Sequence, residues 1–297
     1  MTAHHTNGRD PQANPARTPL VLMCPPDHYG IEYEINPWMD VKRGAIPELA
    51  QSQWGRLRAT IESLGAEVEV VEARPHLPDL VFTANAGLVF GNTFVGSNFR
   101  HSVRQGESPV FDAWFAERGW NVVRPPSDIY FEGAGDALFC GETLFFGYKF
   151  RSQPRGHAWL GELLSVEVLP VELADDRYYH LDTCFCPLDA TSAIIFPGAF
   201  DSYGLTAIRD RVPVLIEADP TEAEAFCCNA VVIGRDVILN DISPRLADSL
   251  GEHGFRTHPL GLSEFIKSGG SAKCLTLRLD GEEAAAWAKS GSLAASK

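Results

Sequence analysis

The chain lacks any long apolar run. None of its 297 residues fall in a stretch approaching the ~18 consecutive apolar residues that span a bilayer, and the opening MTAHHTNGRDPQANPARTPL has no signal-peptide core. It also lacks a Lys/Arg run: 25 basic residues face 39 acidic ones, for a formal net charge of −14. That excludes nucleic acid and an anionic membrane as main partners. A negative field weakly favours a cationic small substrate, although acidic surfaces more often only confer solubility. No phosphate-cradling loop occurs, and EGAGD (132–136) misses the GxGxxG spacing of a dinucleotide site. His180, Cys184 and Cys186 match no zinc spacing, and no second Cys/His pair complements them. The expectation is a protein that works without metal or cofactor on a small molecule.

Cysteine is present but unpatterned. The seven (Cys24, Cys140, Cys184, Cys186, Cys227, Cys228, Cys274) are an odd number and sit mostly in apolar runs, where free thiols behave as small hydrophobes. A chain of this length and 45% hydrophobic content buries enough apolar surface to fold without disulfides. A cytoplasmic protein in a reducing compartment is expected, and a homo-oligomer is compatible with the sequence.

What the chain does have is a repeat. Leu88–Phe90 and Phe94–Val95 flank Gly91-Asn92-Thr93 as strand, tight turn, strand. Ala137–Phe139 with Leu144–Phe146, the longer-looped Phe185–Leu188 with Ala193–Phe196, and Val231–Ile233 with Val237–Leu239 give the same pattern. With Leu88, Leu138, Phe185 and Val232 as markers, the unit recurs every 47 to 50 residues, which indicates pseudo-symmetry rather than separate domains. Leu20–Cys24 and Cys274–Leu279 can complete a fifth unit. Helix-like stretches lie between: Pro47–Leu64, Phe111–Gly119, Gly156–Leu164, Thr221–Phe226, Pro244–His253 and Ser263–Lys267. An α/β fold of short mixed sheets around a central axis with peripheral helices is expected over 19–280 as a single domain. It lies between a mobile leader (1–18) and an Ala/Ser-rich tail (281–297).

Each unit is preceded by a cluster that is polar where a strand should be apolar: LPDLVFTANAG (77–87), YFEGAGD (130–136), YYHLDTCF (178–185), CCNA (227–230) and GGSAKC (269–274). In a pseudo-symmetric fold equivalent strand ends converge, so these clusters predict one site. In CLTLRL, period-2 alternation separates Cys274 from the face of Leu275, Leu277 and Leu279. A lone cysteine is more often a core residue, but the glycines before Cys274 admit another molecule to the backbone and point to a nucleophile. His180 and Asp182, two apart in a strand-like run, share a face; the Asp either fixes the His tautomer or binds a substrate cation. Glu132 and Asp136 flank Gly133-Ala134-Gly135, a setting in which a carboxylate can grip a planar cation through two parallel hydrogen bonds.

Taken together, ANAG after LPDLVFT, EGAGD, YHLDTCF, CNAVVIG and GGSAKCLTLRL resemble the guanidine-modifying (pentein) superfamily, from about Leu20 to Leu279. That superfamily includes arginine deiminase, dimethylarginine dimethylaminohydrolase and the amidinotransferases. The resemblance implies a five-bladed α/β propeller and a Cys-His-Glu site. Cys274 would attack the guanidinium carbon to give a thiouronium, with His180 as acid and then base. Glu132 and Asp182 would hold the guanidinium nitrogens, supported by Asp79 and Asp136, and Arg104 and Arg151 would bind the substrate α-carboxylate.

The resemblance has one departure. Deiminases and dimethylargininases usually carry an acidic residue where this chain has Asn85. With MCPPDHYGIEYEINPWM (23–39), which contains Asn36, this looks more like the arginine dihydrolases, which convert arginine to ornithine, carbon dioxide and two ammonia molecules. A carboxylate would repel the carbonyl oxygen of a ureido intermediate, whereas an amide can both accept and donate. The expected substrate is arginine or a methylated arginine. Dimethylargininase is the close alternative, followed by deiminase and amidinotransferase. A non-catalytic propeller serving as a binding module is disfavoured by the presence of Cys274, His180 and Glu132.

Overall fold

The computed structural model describes residues 18–281, so the leader, apart from Thr18, and the tail, apart from Gly281, lie outside the described residues. Five three-stranded sheets follow one another along the chain. The first blade contains β1 (Leu20–Met23), α1 (Pro47–Ser63) and β2 (Glu67–Val70). The second contains β3 (Gly87–Phe90), β4 (Thr93–Gly96), α2 (Glu107–Glu117) and β5 (Asn121–Val123). The third runs through β6 (Ala137–Cys140), β7 (Thr143–Tyr148), α3 (Arg155–Leu164) and β8 (Glu167–Glu172). The fourth has β9 (Phe185–Pro187), β10 (Ser192–Ile195), α4 (Ser202–Arg211) and β11 (Val214–Glu217). After α5 (Pro220–Glu224), the fifth has β12 (Val231–Ile233), β13 (Asp236–Leu239), α6 (Pro244–Glu252) and β14 (Arg256–Pro259); α7 (Ser263–Ile266) and β15 (Leu277–Arg278) follow.

In blades two to five an antiparallel hairpin leads through a helix to a strand that joins it in parallel. The first blade is assembled from both ends of the domain: β15 pairs antiparallel with β1, and β2 joins in parallel. The result is the five-bladed α/β propeller that the resemblance implies, and it agrees with the repeat. Three of the hairpins turn at Gly91, Gly141 and Gly234, each at φ near +60° as the first of two central residues, the position where a type II′ turn requires glycine. Three apolar clusters fill the spaces between blades and helices.

The structure corrects the sequence at four places. Helix α4 is absent from the sequence expectations because SYGLTAIRDR buries only Gly204 and Ile208, too few for a readable apolar stripe; Asp201 caps it by accepting from the Gly204 N–H at 2.8 Å. Helix α2 starts four residues before the expected Phe111, at Glu107, whose side chain faces inward. The segment 271–275 is turn rather than strand, with the Leu275 N–H donating to Ser271 and that of Thr276 to Lys273, so alternation does not apply there and Cys274 shares an apolar cluster with Leu275. Leu181–Thr183 is likewise a 3-10 turn, so His180 and Asp182 are placed by that turn and not by a strand face.

Candidate active site

The polar clusters become short turns that enter the blades from one end. LPDLVFTANAG folds as two 3-10 turns (Pro78–Val81, Thr83–Ala86), EGAGD as a turn over Gly133–Gly135, and HLDT as the turn over Leu181–Thr183. Turns point side chains inward that a strand would spread over two faces. Asp79, Asn85, Arg104, Glu132, Asp136, Arg151, His180, Asp182 and Cys274 are all buried. Five of the buried groups around this end are acids (Asp79, Glu107, Glu132, Asp136, Asp182), against two arginines.

His180 Nε2 lies 2.8 Å from Glu132 Oε2, and Arg151 Nη1 donates to that same oxygen at 3.0 Å. The other oxygen, Oε1, accepts from the Arg100 N–H at 3.1 Å. Burial alone would push the Glu132 carboxyl up, but Arg151, His180 and Arg104 outweigh it and hold it well below the usual carboxylate range. Burial carries His180 down, to about 4, against the pull of Glu132 and helped by Arg151 and Arg104. An ionised Glu132 must accept, so Nε2 carries the imidazole hydrogen, and the buried Nδ1 has no hydrogen-bond partner among the described residues.

Cys274 Sγ donates to Asp182 Oδ2 at 3.3 Å and accepts from Asn229 Nδ2 at 3.1 Å. Burial, followed by the Asp182 charge, pushes the thiol well above its ordinary range, so it rests protonated. Gly269 and Gly270 do not open the backbone to another molecule as the sequence suggests; the protein itself packs against them, a Cβ on Gly270 falling 2.7 Å from the Phe82 ring and 3.2 Å from Cys274 Cβ, and one on Gly269 2.9 Å from the Tyr179 ring.

The remaining candidates form two layers. Asp136 takes the Ser152 N–H and hydroxyl on Oδ2 (3.2 and 2.6 Å) and the Leu181 N–H on Oδ1 (3.1 Å), and so fastens the His180 turn to the third blade. Burial pushes its carboxyl well up. Arg151 also donates to the Ile35 carbonyl at 3.0 Å and lies over the Tyr179 ring. Arg104 is held by both oxygens of Glu107 at 2.8 Å, lies 3.8 Å from Asp79, and donates to Asn85 Oδ1 at 3.0 Å. Burial pushes the Asp79 carboxyl up against the Arg104 charge. The Asn85 oxygen is therefore taken by Arg104, while its nitrogen lies along the 132–135 turn, 3.5 Å from the Glu132 carbonyl. Asn36 donates to the Ser268 carbonyl at 3.0 Å and accepts from the Trp38 N–H at 2.9 Å, which braces the segment after β1 against the glycines before Cys274. The sequence did not single out Asn229, Tyr179 or Glu107; CCNA was marked as a cluster, but an asparagine there reads as an ordinary turn residue. Among the described residues no group of three or more His, Cys, Asp or Glu is placed to hold a metal ion, and no helix is long and apolar enough to cross a membrane.

Comparison with known proteins settles the kinship. The family model for N,N dimethylarginine dimethylhydrolase, eukaryotic, matches residues 32–279. The chain belongs to the dimethylarginine dimethylaminohydrolase family. This member of the guanidine-modifying superfamily is 47% identical over 264 residues to the bifunctional arginine dihydrolase/ornithine cyclodeaminase ArgZ of Synechocystis sp., a match covering 87% of this chain and 37% of ArgZ. It thus spans little more than a third of that relative's length. The N-terminal domain of ArgZ bound to substrate superimposes with a TM-score of 0.86 at 46% identity, over 88% of this chain and 98% of that domain. The N(G),N(G)-dimethylarginine dimethylaminohydrolase of Mycobacterium tuberculosis is 36% identical over 270 residues, covering 91% of this chain and 88% of that enzyme.

Proposed function

We propose that this family member hydrolyses the guanidine group of arginine in two rounds through Cys274, yielding ornithine, carbon dioxide and two ammonia molecules. The observation that carries this is the Cys274–Asp182 contact, with Asp182 on the turn that His180 opens, and a His180 whose Nε2 is fixed by Glu132 and whose Nδ1 has no partner among the described residues. A guanidinium seated on the carboxylates brings its central carbon to the sulfur. The thiol proton passes to His180 Nδ1 and on to the departing nitrogen, which leaves as ammonia while the C–S bond forms. The imidazole then deprotonates the water that breaks that bond, leaving a ureido group. A second attack expels the second ammonia, and hydrolysis of the thiocarbamate gives a carbamate that loses carbon dioxide. Retention of the ureido intermediate rests on the Asn85 amide nitrogen, which can donate to its oxygen; the Asn85 oxygen is engaged by Arg104, so donation is the contribution the geometry supports. The N-terminal domain of ArgZ, crystallised with substrate, with product and covalently bonded to a reaction intermediate, supports this chemistry. Seven free cysteines support a cytoplasmic setting.

Dimethylarginine hydrolysis to citrulline and dimethylamine is the second reading, favoured by the family match and the mycobacterial relative. Incubation of the purified protein with arginine, with Cys274→Ala as control, separates the two. Ornithine with about two ammonia per arginine is the expected result, from the stoichiometry of two C–N cleavages. Citrulline with one ammonia overturns the second round, and inertness toward arginine with turnover of dimethylarginine overturns the substrate.

A further inference from the structure

Asn229 has no part in the reaction described above, yet it touches the reacting atom. It is fully buried in the turn between α5 and β12. Its side-chain oxygen accepts from the Ser271 N–H at 2.9 Å and the Cys274 N–H at 3.1 Å, and its backbone oxygen accepts from the Lys273 N–H at 3.2 Å. Two backbone donors on the oxygen fix which way the amide faces, because a flipped amide would set N–H against N–H. The nitrogen is therefore aimed at the Asp182 carbonyl, 3.1 Å away, and at Cys274 Sγ, also 3.1 Å away. Its two hydrogens have these two acceptors, and one of them is the sulfur.

The sulfur thus sits between an acceptor and a donor. When it loses its proton, the Asp182 contact turns from a hydrogen bond into repulsion. The Asn229 contact strengthens, since a hydrogen bond to an ionised acceptor is about twice as strong as a neutral one. We propose that Asn229 is a further catalytic residue, the neutral donor that holds the Cys274 sulfur in place and stabilises it as a thiolate, both at attack and when it is released from the carbon. This rests on Cys274 being the nucleophile. The other titratable groups at the sulfur are Asp182, in contact with it, the neighbouring Tyr179 and, in the proposed reaction, His180, which takes its proton.

The test is the pH profile of iodoacetamide alkylation of Cys274 in the full chain, with Cys274→Ala identifying the signal of the other six thiols. Asn229→Ala removes donor and clamp; Asn229→Asp keeps an acceptor for the Ser271 and Cys274 N–H groups and removes the donor. Both variants are expected to shift the profile to higher pH and slow alkylation at pH 7 about tenfold, the equivalent of one pKa unit. A purely structural role gives the opposite sign in Asn229→Ala, since a loosened turn admits solvent to the thiol and speeds alkylation. Alkylation of Asn229→Ala as fast as wild type or faster overturns the proposal. If that variant does not fold, a wild-type profile in Asn229→Asp overturns it. Alkylation needs no arginine, so a shifted profile in a protein inert to arginine removes the proposed function alone, and turnover of arginine with an unshifted profile removes the role of Asn229 alone.

Discussion

The His180 imidazole is bound through Nε2 to Glu132 at 2.8 Å, and this leaves Nδ1 as its basic nitrogen. The contact sets the tautomer on which the proposed proton transfer depends. In Glu132→Gln an amide can accept from or donate to Nε2, and the buried Arg151 loses its ion-pair partner. The expected outcome in steady-state assays is a fall in kcat of about 10²- to 10⁴-fold, the span of a lost acid/base function.

Asn85→Asp places a carboxylate against Arg104 and the 132–135 turn. It removes the donor proposed to hold the ureido oxygen. Chromatography of the products should show citrulline accumulating where wild type gives ornithine. Ornithine as sole amino-acid product would show that the amide has no part in the second round.

Two glycines of EGAGD separate folding from function. Gly133 sits at φ +65°, and a Cβ there would fall 2.7 Å from the Gly87 carbonyl and 2.8 Å from that of Ala84, both backbone. Gly133→Ala should lose at least about 1–3 kcal/mol in urea unfolding. A Cβ at Gly135 instead meets the Asn85 side-chain nitrogen and, at 3.5 Å, His180 Nδ1, side chains of the candidate site rather than backbone. Gly135→Ala should be less destabilised than Gly133→Ala and lose most of its activity.

His180 gives the fold a pH dependence. Its folded pKa, about 4, lies below the unfolded value near 6.5, so between them the unfolded chain binds the extra proton. Its contribution is complete above pH 6.5 and is lost as pH falls toward 4. At about 1.4 kcal/mol per pKa unit it amounts to roughly 3 kcal/mol. The stability difference between wild type and His180→Gln, from denaturant titrations at pH 7 and pH 4, should shrink by that order at the lower pH.

Glu107 grips Arg104 with both oxygens inside the protein. Glu107→Gln leaves a buried guanidinium without this counter-ion, and about 3–5 kcal/mol of stability should be lost. Calorimetry on Glu107→Gln and Arg104→Met tests this. The methionine variant is expected to be the less damaged of the two, because the Glu107 and Asp79 carboxyls it strands can take up protons, whereas a guanidinium cannot shed its charge.

Three hairpins were legible because each announces itself locally, by Gly-Asn, Gly-Glu or Gly-Arg between apolar runs, and the longer-looped fourth by its place in the repeat. Convergence of the polar clusters followed from the repeat. Local pattern failed at α4, with its two buried residues, and at Cys274, where the chain is still turning and alternation has no meaning. Nor can sequence say which of several carboxylates meets the imidazole: Glu132 and His180 are 48 positions apart, and it is Asp136, clamping the Leu181 N–H, that sets their approach. Asn229 was hidden for the same reason, since its partners lie 42 to 47 positions away.

The pairing of β15 with β1 joins segments from the two ends of the described chain, and Cys274 precedes β15 by only three residues. Cys274, the proposed nucleophile, thus lies just before the last strand among the described residues, whereas Asp182, His180 and Glu132 sit at blades that precede it in sequence. An incomplete chain emerging from the ribosome carries the receptor half of the site without its thiol. On the proposed mechanism Cys274 reaches its partners only when β15 pairs with β1, so onset of turnover during refolding is expected to coincide with that pairing.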